Sequence, residues 1–303
     1  MPKQANLVMT YALLVFIWST TPLAIVWSVT DLNPMWALAL RFFLALPFAL
    51  MILWLFKTAL PFDRVSMHSY LAGACSFIGS QVFTYWSTSY LSSGIIALMF
   101  GLSPIVTGLI GRFFFNIHLS LNQWLGMAVA VLGLSIICLG GANQHIQPIG
   151  IVLALMGVLV YCVTMFWVKK INAPIDPKAQ ATGSILFSVI FSCCMLPFIW
   201  QYAPTSMPHA KSLFGLSYAV IMASLIAMFC YFKLVQNIKA TTLSLTTVLT
   251  PMIALVVGAL LNDEQLSKWG IVGAAVLLMG LMLYFYQDLK ASRILAFKLK
   301  SKS

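Results

Sequence analysis

The sequence predicts an all-α integral membrane protein with ten transmembrane helices, organised as two inverted five-helix repeats. Three observations lead to this fold class: the composition, a series of long apolar runs and an internal repeat. Of the 303 residues, 61% are hydrophobic and 8% are charged, whereas soluble domains contain about 25% charged residues. Soluble and disordered chains are therefore excluded. An outer-membrane barrel is disfavoured, because its strands alternate polar and apolar residues and these runs are continuous.

Each apolar run is close to the roughly 20 residues that a helix needs to cross a bilayer. The first run follows Lys3, as the apolar part of a signal peptide would, but the many later runs favour an uncleaved first helix. Short separations predict tight hairpins between the third and fourth helices and between the eighth and ninth. The runs lie at about residues 7–27, 35–56, 69–90, 94–115, 123–140, 149–168, 179–200, 213–236, 241–261 and 269–287.

Basic residues predict the orientation, since loops rich in Lys and Arg stay in the cytoplasm. With a cytoplasmic N-terminus, all 17 Lys and Arg residues except Arg41, Lys211 and Lys268 lie at or near the inner face. Both termini are thus predicted to be cytoplasmic. The basic tail at 288–303 is interpreted as an orientation signal or as a contact with anionic lipid. The formal charge of +11 does not indicate a nucleic-acid partner, because the charges lie at the ends of apolar runs.

The two halves of the chain repeat at an offset of 147 residues, which aligns Ser103–Leu134 with Thr250–Leu281. Each half then holds five helices, and an odd number makes the two halves enter the membrane in opposite directions. Inverted repeats of this kind are typical of secondary transporters. The informative matches are Pro104 with Pro251, Gly111 with Gly258, Gly126 with Gly273 and Gly133 with Gly280.

Several short motifs resemble an EamA domain. The first half opens with FIWSTTP at 16–22, followed by Arg41, and closes with Ser103, Pro104 and the glycines aligned above. The second half repeats the closing motifs. Over nearly its full length the chain resembles the EamA family of the drug/metabolite transporter superfamily. The two domains would cover 7–140 and 149–287.

The resemblance implies ten helices around a central cavity lined by helices 1–4 and 6–9, with helices 5 and 10 at the periphery. It also implies export of small metabolites or drugs. One position departs from the family pattern, because the first half has Ile117 where the family often has Glu, as the second half does at Glu264. If that Glu orders a loop in the second half, the first-half loop must be ordered in another way.

An enzyme is not expected from this sequence. The histidines lie in different loops, the acidic residues lie in loops or at span ends, and no catalytic triad or metal-binding spacing is present. The six cysteines lie inside apolar runs and are interpreted as packing residues. No cofactor and no metal is predicted. The sequence has no ATP-binding motif, so any pumping would have to use an ion gradient or downhill flow.

Two basic residues are embedded in the predicted spans, Arg41 in the second and Lys233 in the eighth. A charge in hydrocarbon costs at least about 2.5–3.5 kcal/mol, so each is a functional candidate. Arg41 could bind a substrate carboxylate or tie backbone carbonyls together. Lys233 could line the path or reach the cytoplasmic interface. Since no span contains an acid, the alternatives for energy coupling are dependence on Lys233 or downhill facilitated export.

A set of aromatic and polar residues is predicted to line the substrate path, because mid-span phenol and indole groups need polar partners. Contact with lipid is the alternative for the aromatic rings. Pro104 and Pro251 are predicted to act as hinges, with a packing role as the alternative. The substrate-binding candidates are Trp18, Thr21, Arg41, Gln81, Tyr85, Trp86, Tyr161, Phe229, Phe232 and Lys233.

Taken together, these features predict a secondary transporter of the inner membrane that exports small metabolites, such as amino acids or aromatic and amphiphilic compounds. A multidrug efflux carrier and a passive channel are the alternatives, and the lack of an embedded acid disfavours cationic drugs. The expected partners are a small-molecule substrate and the lipid bilayer. Glycines that recur every seven residues on helices 5 and 10 form a smooth face, which could pack within one chain or join two copies in a homodimer.

Overall fold

The computed structural model describes residues 2–116, 118–140, 146–238, 246–264 and 267–286. Within these ranges the chain is helical and contains no β-strand. Helices follow from the apolar composition, because a chain surrounded by hydrocarbon must satisfy its backbone N–H and C=O groups internally. The prediction of an all-α protein is confirmed for the described residues.

Thirteen α-helices make up the described part of the chain. Seven segments of it are long and apolar enough to cross a membrane, and two further apolar helices near the C-terminus are shorter. The helices are α1 (Pro2–Ser28), α2 (Pro34–Leu55), α3 (Arg64–Ala74), α4 (Ser80–Ser87), α5 (Ser93–Gly101), α6 (Ser103–Phe115), α7 (Leu121–Gly140), α8 (Pro148–Ile171), α9 (Pro177–Ile199), α10 (Ala210–Tyr218), α11 (Ala227–Asn237), α12 (Thr246–Leu261) and α13 (Lys268–Tyr284).

Three of the predicted spans are interrupted. Turns of π-helix, Cys75–Gly79 and Ala219–Ile226, join α3 to α4 and α10 to α11. Such turns occur frequently at functional sites. The two π-turns end at equivalent points of the repeat, since Gly79 and Ile226 are 147 residues apart. The predicted fourth span is broken at Leu102, between α5 and α6.

Polar residues in the loops fix where the helices begin and end. The side chains of Asn33, Asp63 and Asp176 accept hydrogen bonds from the first backbone N–H groups of α2, α3 and α9, which is the usual role of an N-cap. Asn116 and Asp263 follow α6 and α12 with left-handed φ angles of 53° and 49°. Asn and Asp adopt this conformation more readily than most residues, and these two positions are equivalent in the repeat.

Helices α7 and α13 pack against each other along four glycines, Gly126 and Gly133 of α7 and Gly273 and Gly280 of α13, which we call the glycine seam. A Cβ atom on Gly126 would lie 2.5 Å from the Tyr284 backbone nitrogen and 2.7 Å from the Gly280 carbonyl oxygen. Glycine is the residue that allows backbones to approach this closely. The predicted smooth face therefore packs within the chain.

Helix α1 is the central helix of the bundle. It packs against α5, α10, α11 and α12, and its buried Leu14 and Ile17 form one apolar cluster with Leu234 of α11. Helices from both halves of the chain therefore meet on α1. We use this helix as an axis and name the two ends of the bundle the Trp27 end and the Asn6 end.

Candidate substrate path

A carboxylate holds the α12–α13 connection against α5 at the Trp27 end. The two Glu264 carboxylate oxygens accept hydrogen bonds from the backbone N–H groups of Ser93 and Gly94, each at 3.1 Å. These groups begin α5, where free N–H groups and the helix dipole stabilise an anion. Gly258 leaves room for the carboxylate, because a Cβ atom there would lie 2.6 Å from Glu264 Oε2. A residue of the second half thus caps a helix of the first half.

Asn262 extends this contact to α1 and α10. Its side-chain oxygen accepts hydrogen bonds from Trp27 Nε1 at 2.8 Å and from Lys211 Nζ at 3.1 Å. Its amide nitrogen donates to Glu264 Oε1 at 3.1 Å. The Lys211 ammonium also lies 5.4 Å from the centre of the Trp27 ring, within cation–π range. We call Trp27, Ser93, Lys211, Asn262 and Glu264 the Glu264 clasp.

A pair of hydroxyl groups connects α1 to α10 further inside the bundle. The hydroxyls of Thr20 and Tyr218 are hydrogen-bonded to each other. The neighbouring Thr21, which the sequence suggested as a binding residue, donates to the Ile17 carbonyl oxygen of its own helix at 2.6 Å. The contact between helices at this level is therefore made by Thr20.

Arg41 lies where α2, α4 and the second π-turn meet, and its side chain is 5% exposed. Its Nε atom donates to Ser224 Oγ at 2.8 Å, and Nη1 donates to Gln81 Oε1 at 3.1 Å. Ser224 in turn donates to the Ala219 carbonyl oxygen at 3.0 Å. Two predicted site residues, Arg41 and Gln81, are thus in direct contact.

The groups that accept hydrogen bonds from the Arg41 guanidinium are both neutral. The ion pairs among the described residues are Lys178–Asp176 and His209–Asp31, and neither includes Arg41. Burial of a charge is costly unless the charge is paired. Within the described part of the chain, Arg41 is therefore a buried cation without an acidic partner.

Tyr85 lies one turn from Gln81 on α4, and residues separated by four positions share a helix face. Its side chain is fully buried and packs in the same apolar cluster as Leu38 and Phe42 of α2. Its hydroxyl group has no hydrogen-bond partner among the described residues. An unsatisfied buried donor costs about 1–3 kcal/mol, so this hydroxyl is a group that a ligand could satisfy.

Four aromatic rings form a cluster beyond Arg41 in the direction of the Asn6 end. The ring centres of Trp18 and Tyr231 are 5.4 Å apart, and those of Phe100 and Tyr161 are 6.2 Å apart. The side chains of Tyr161 and Tyr231 are hydrogen-bonded to each other, and this contact joins the two pairs. We call these four residues the aromatic cluster. It includes Trp18 and Tyr161, two of the predicted binding residues.

Lys233 lies at the Asn6 end of the bundle. Its side chain is exposed, and Nζ donates to Asn6 Oδ1 at 2.9 Å and to Thr10 Oγ1 at 3.4 Å. Thr10 is about 12 Å from Trp18 along α1, at 1.5 Å per residue. These contacts are typical of a lysine that extends to the end of a span, and they separate Lys233 from the Arg41 site.

The remaining candidates do not join the Arg41 site directly. Phe229 packs against the apolar cluster that contains Tyr85. The Trp86 side chain is 51% exposed and points about 140° around α4 from Gln81, given about 100° per residue. Pro104 lies next to the break at the start of α6, and Pro251 lies inside α12. The side chain of Phe232, residue Ile117 and the tail at 288–303 lie outside the described residues.

The loops at both ends contain hydrogen-bonded carboxylates, and most of the described basic residues lie at one end. At the Trp27 end, the His209 backbone N–H and ring lie 2.8 Å and 3.1 Å from the Asp31 carboxylate, and these hydrogen bonds lower the Asp31 pKa. At the Asn6 end, the Ser66 hydroxyl and backbone N–H lower the pKa of the Asp63 carboxyl. The described basic residues concentrate at the Asn6 end, at Lys57, Arg64, Arg112, Lys169, Lys170, Lys178 and Lys233.

Ser224, Asn262 and Tyr231 are among the residues of this path that were not predicted from the sequence. Ser224 is an isolated hydroxyl in an apolar run, and such hydroxyls often bond across helices in membranes. Asn262 follows α12 and precedes two acidic residues. This sequence indicates a polar loop, but it does not indicate which residues Asn262 contacts. Tyr231 lies next to predicted residues of α11 but on another side of that helix.

Comparisons with known proteins agree on a family. The model of the EamA-like transporter family matches residues 6–139 and again residues 148–286. The chain is 25% identical over 279 residues to the uncharacterized inner membrane transporter YedA of Escherichia coli K12, with 90% of each chain covered. It is 26% identical over 259 residues to the protein PagO of Salmonella typhimurium, covering 83% of this chain and 84% of that protein.

A more distant relative carries a name that includes a substrate. This Escherichia coli K12 protein, named a probable amino-acid metabolite efflux pump, is 22% identical over 205 residues, covering 63% of this chain and 67% of that protein. A solved crystal structure matches with a TM-score of 0.66 and 14% identity, covering 92% of this chain and 98% of the other. At that identity the match shows a shared fold alone.

Proposed function

Because the chain belongs to the EamA-like transporter family, we propose that it is a secondary transporter of the inner membrane that exports small metabolites, with amino acids and related aromatic or amphiphilic compounds as substrates. Relatives named an inner membrane transporter and an amino-acid metabolite efflux pump support the location and the direction. The observation that carries the proposal is the buried cation Arg41, held by neutral groups of α4 and the second π-turn in the interior of the bundle.

The proposed architecture has ten helices in two inverted repeats. In it, α3 with α4, α5 with α6, and α10 with α11 each form one interrupted span. Support comes from the two family-model matches, from the equivalent π-turns and from the equivalent left-handed residues Asn116 and Asp263. The repeats would cover 7–140 and 149–287, and 288–303 would form a basic cytoplasmic tail.

In this arrangement the Asn6 end faces the cytoplasm and the Trp27 end faces the periplasm. The concentration of Lys and Arg at the Asn6 end supports this orientation. The Glu264 clasp then holds the periplasmic side closed, and Lys233 lies at the cytoplasmic mouth. Release of an exported molecule would require the clasp to open. This requirement favours a carrier over a passive channel, whose path would be open at both ends.

The same residues bear on substrate charge and energy coupling. A buried guanidinium that has no acidic partner among the described residues repels cations, which disfavours a multidrug carrier for cationic drugs. Arg41 keeps its proton under ordinary conditions, and Lys233 contacts Asn6 and Thr10 instead of the interior. We therefore propose downhill facilitated export, with neither residue relaying protons through the middle of the bundle.

A homodimer through the fifth and tenth predicted spans, which correspond to α7 and α13, is a further part of the proposal. The glycine faces of α7 and α13 are already packed against each other, so a second copy would have to contact their outward faces. Trp124, Leu132 and Trp269 are exposed there and offer an apolar surface to lipid or to another copy.

Export can be tested in a bacterial host that lacks its own relatives of this chain. The full chain is expressed, and growth and extracellular concentrations are followed for a panel of amino acids, aromatic carboxylic acids and cationic drugs. We expect greater tolerance and faster extracellular accumulation of carboxylated compounds, and we expect both effects to be lost in Arg41→Gln at an equal amount of membrane protein. Export of none of these compounds, or of cationic drugs alone, would contradict the proposal.

A further inference from the structure

The surroundings of Arg41 indicate which chemical group the transported molecule carries. We propose that Arg41, Gln81 and Tyr85 bind a carboxylate of the substrate, and that the adjacent aromatic cluster receives its apolar part. This inference rests on the proposed export function and narrows the substrates to monocarboxylates with an apolar or aromatic body.

The guanidinium of Arg41 is oriented to bind an anion. Arginine has five N–H donors in a planar fork that matches a carboxylate. Of these, Nε donates to Ser224 and Nη1 donates to Gln81, which fixes the plane of the group. Within the described residues, Nη2 has no hydrogen-bond partner. The fork is therefore held in place by neutral groups while donors remain for an anion.

The buried positive charge of Arg41 also indicates an anionic ligand. Arg41 is 5% exposed, and the sequence places no Asp or Glu inside any apolar run. Buried charges in proteins are paired, because the solvation lost on burial has to be replaced. A protein carboxylate would neutralise Arg41 permanently, whereas a substrate carboxylate neutralises it only while it is bound. A cation that has to be free between transport cycles suits the second arrangement.

The hydroxyl group of Tyr85 gives independent support. Its fully buried hydroxyl has no partner among the described residues, and it lies one turn from Gln81 on the same face of α4. The side chain packs with Leu38 and Phe42, which stand on either side of Arg41 in α2. The Gln81 oxygen accepts from Arg41, which leaves its amide nitrogen as a donor. Arg41 and Gln81 thus offer donors in contact with each other, and Tyr85 adds a buried hydroxyl one turn further along α4, a set of donors that suits an acceptor-only group such as a carboxylate.

The aromatic cluster supplies the apolar half of the site. Tyr231 follows Ser224 by seven residues along the same span and comes two positions before Lys233, which contacts Asn6. Tyr231 contacts the Trp18 ring at 5.4 Å. A molecule of the size of an aromatic amino acid can thus approach Arg41 with its carboxylate and the cluster with its side chain.

The test compares acids with their uncharged amides. Binding to the purified full chain in detergent is measured by tryptophan fluorescence for 3-phenylpropanoate and 4-methylpentanoate, and for the corresponding primary amides, which have nearly the same shape. We expect each acid to bind at least about tenfold more tightly than its amide, because a charge-assisted hydrogen bond is the stronger one. Arg41→Gln should abolish this preference. The matched control is Arg64→Gln, an exposed arginine at the start of α3, and it should behave like the native chain.

Two conservative variants keep the test decisive if Arg41→Gln does not fold. Arg41→Lys retains the charge without the fork and should keep a reduced preference for acids. Tyr85→Phe removes one donor and should weaken acid binding about threefold to tenfold, with amide binding unchanged. Equal binding of acids and amides to the native chain, or an acid preference that persists in Arg41→Gln, would overturn the inference. Either result alongside export in cells would leave the proposed function intact, whereas the absence of any export would remove both.

Discussion

The glycine seam and the Arg41 site are both buried contacts between helices that are distant in sequence, yet they are built in opposite ways. In the seam, Gly126 and Gly133 bring backbone against backbone, with no side chain that could rearrange. At the Arg41 site, one long side chain reaches Ser224 and Gln81 on two other elements. A tight backbone contact resists movement, whereas contacts between long polar side chains can break and form again.

The glycine seam is a rigid scaffold, whereas the Arg41 site has the features of a ligand-binding interior. The seam belongs to an apolar core in which Leu277 and Leu281 are fully buried, and its contacts are made by glycine backbone, which has no side chain to recognise a ligand. The Arg41 site lies beside a π-turn and contains the buried Tyr85 hydroxyl, which has no partner in the described part of the chain. Substitutions in the seam should therefore reduce the amount of folded protein, and substitutions in the interior should change transport in protein that remains folded.

The largest effect is expected in the seam. Gly133→Leu would push a side chain into the backbone of Leu277 and Gly273, and overpacking of this kind costs about 1–3 kcal/mol or more. We expect little monodisperse protein in size-exclusion chromatography of detergent extracts. Val131→Leu, at an exposed position of the same helix, is the control and should extract normally. Native-like yield of Gly133→Leu would show that the seam is not a rigid contact.

A smaller effect is expected at the Glu264 clasp, which has features of both regions. Glu264→Gln removes the anion from the start of α5, a contact worth about 0.3–1 kcal/mol and up to about 2 when partly buried. The thermal unfolding midpoint should fall by a few degrees, and the rate of export should change in folded protein because the Trp27 end opens more readily. Asp263→Asn, one residue away and exposed, should alter neither quantity. If both variants behave alike, the carboxylate of Glu264 does not hold this end.

Lys233 should matter less than Arg41 although both are cationic. Lys233→Ala removes hydrogen bonds to Asn6 and Thr10 at an exposed site, and exposed polar contacts contribute little. We expect export within about twofold of the native rate and an unchanged preference for acids over amides. The same flux assay run on Thr10→Ala provides the reference for losing this contact alone. A folded Lys233→Ala protein that transports nothing would move Lys233 into the substrate path.

The smallest effect concerns pH at the Trp27 end. The Asp31 pKa is lowered in the folded protein by the backbone N–H and ring of His209, so this carboxylate stabilises the fold above its unfolded pKa of about 3.9. That contribution is lost as pH falls through the lower, folded pKa. Asp31→Asn should therefore melt slightly earlier than the native chain at pH 7, and the two should converge once the pH has fallen below the folded pKa of Asp31. A difference that persists at the lowest pH would point to lost packing instead of lost charge.

Much of the helical framework could be read from the sequence because it depends on local and periodic signals. Apolar runs predict the helices, and the aligned glycines predict a close helix contact without naming its partner. The π-turns and the break at Leu102 could not be predicted, because they depend on how neighbouring helices pack. No local signal marks residues 75–79 as different from the rest of the span.

The candidate site was predictable in its residues but not in its connections. Arg41 and Gln81 were both selected because polar groups are costly in hydrocarbon and are therefore candidates for function. In the structure they are hydrogen-bonded to each other. Ser224 was not selected, since a single serine on an apolar helix gives no direction. Trp86 was selected because a mid-span indole needs a polar partner; its ring is exposed and stands on another side of α4 from Gln81, a rotation that the sequence did not specify.

Opening of the interior at the Trp27 end is tested most directly by cross-linking across the clasp. In a chain with its six cysteines replaced by alanine, Lys211→Cys is combined with Asn262→Cys, two positions whose native side chains are hydrogen-bonded to each other, and each cysteine alone serves as a control. All three versions are treated with a short, reducible thiol cross-linker, and substrate efflux from proteoliposomes is measured before and after reduction. We expect the cross-link to stop efflux until it is reduced, whereas the single-cysteine versions continue to transport under the same treatment. Efflux that continues through a cross-linked clasp would contradict the proposed opening at this end.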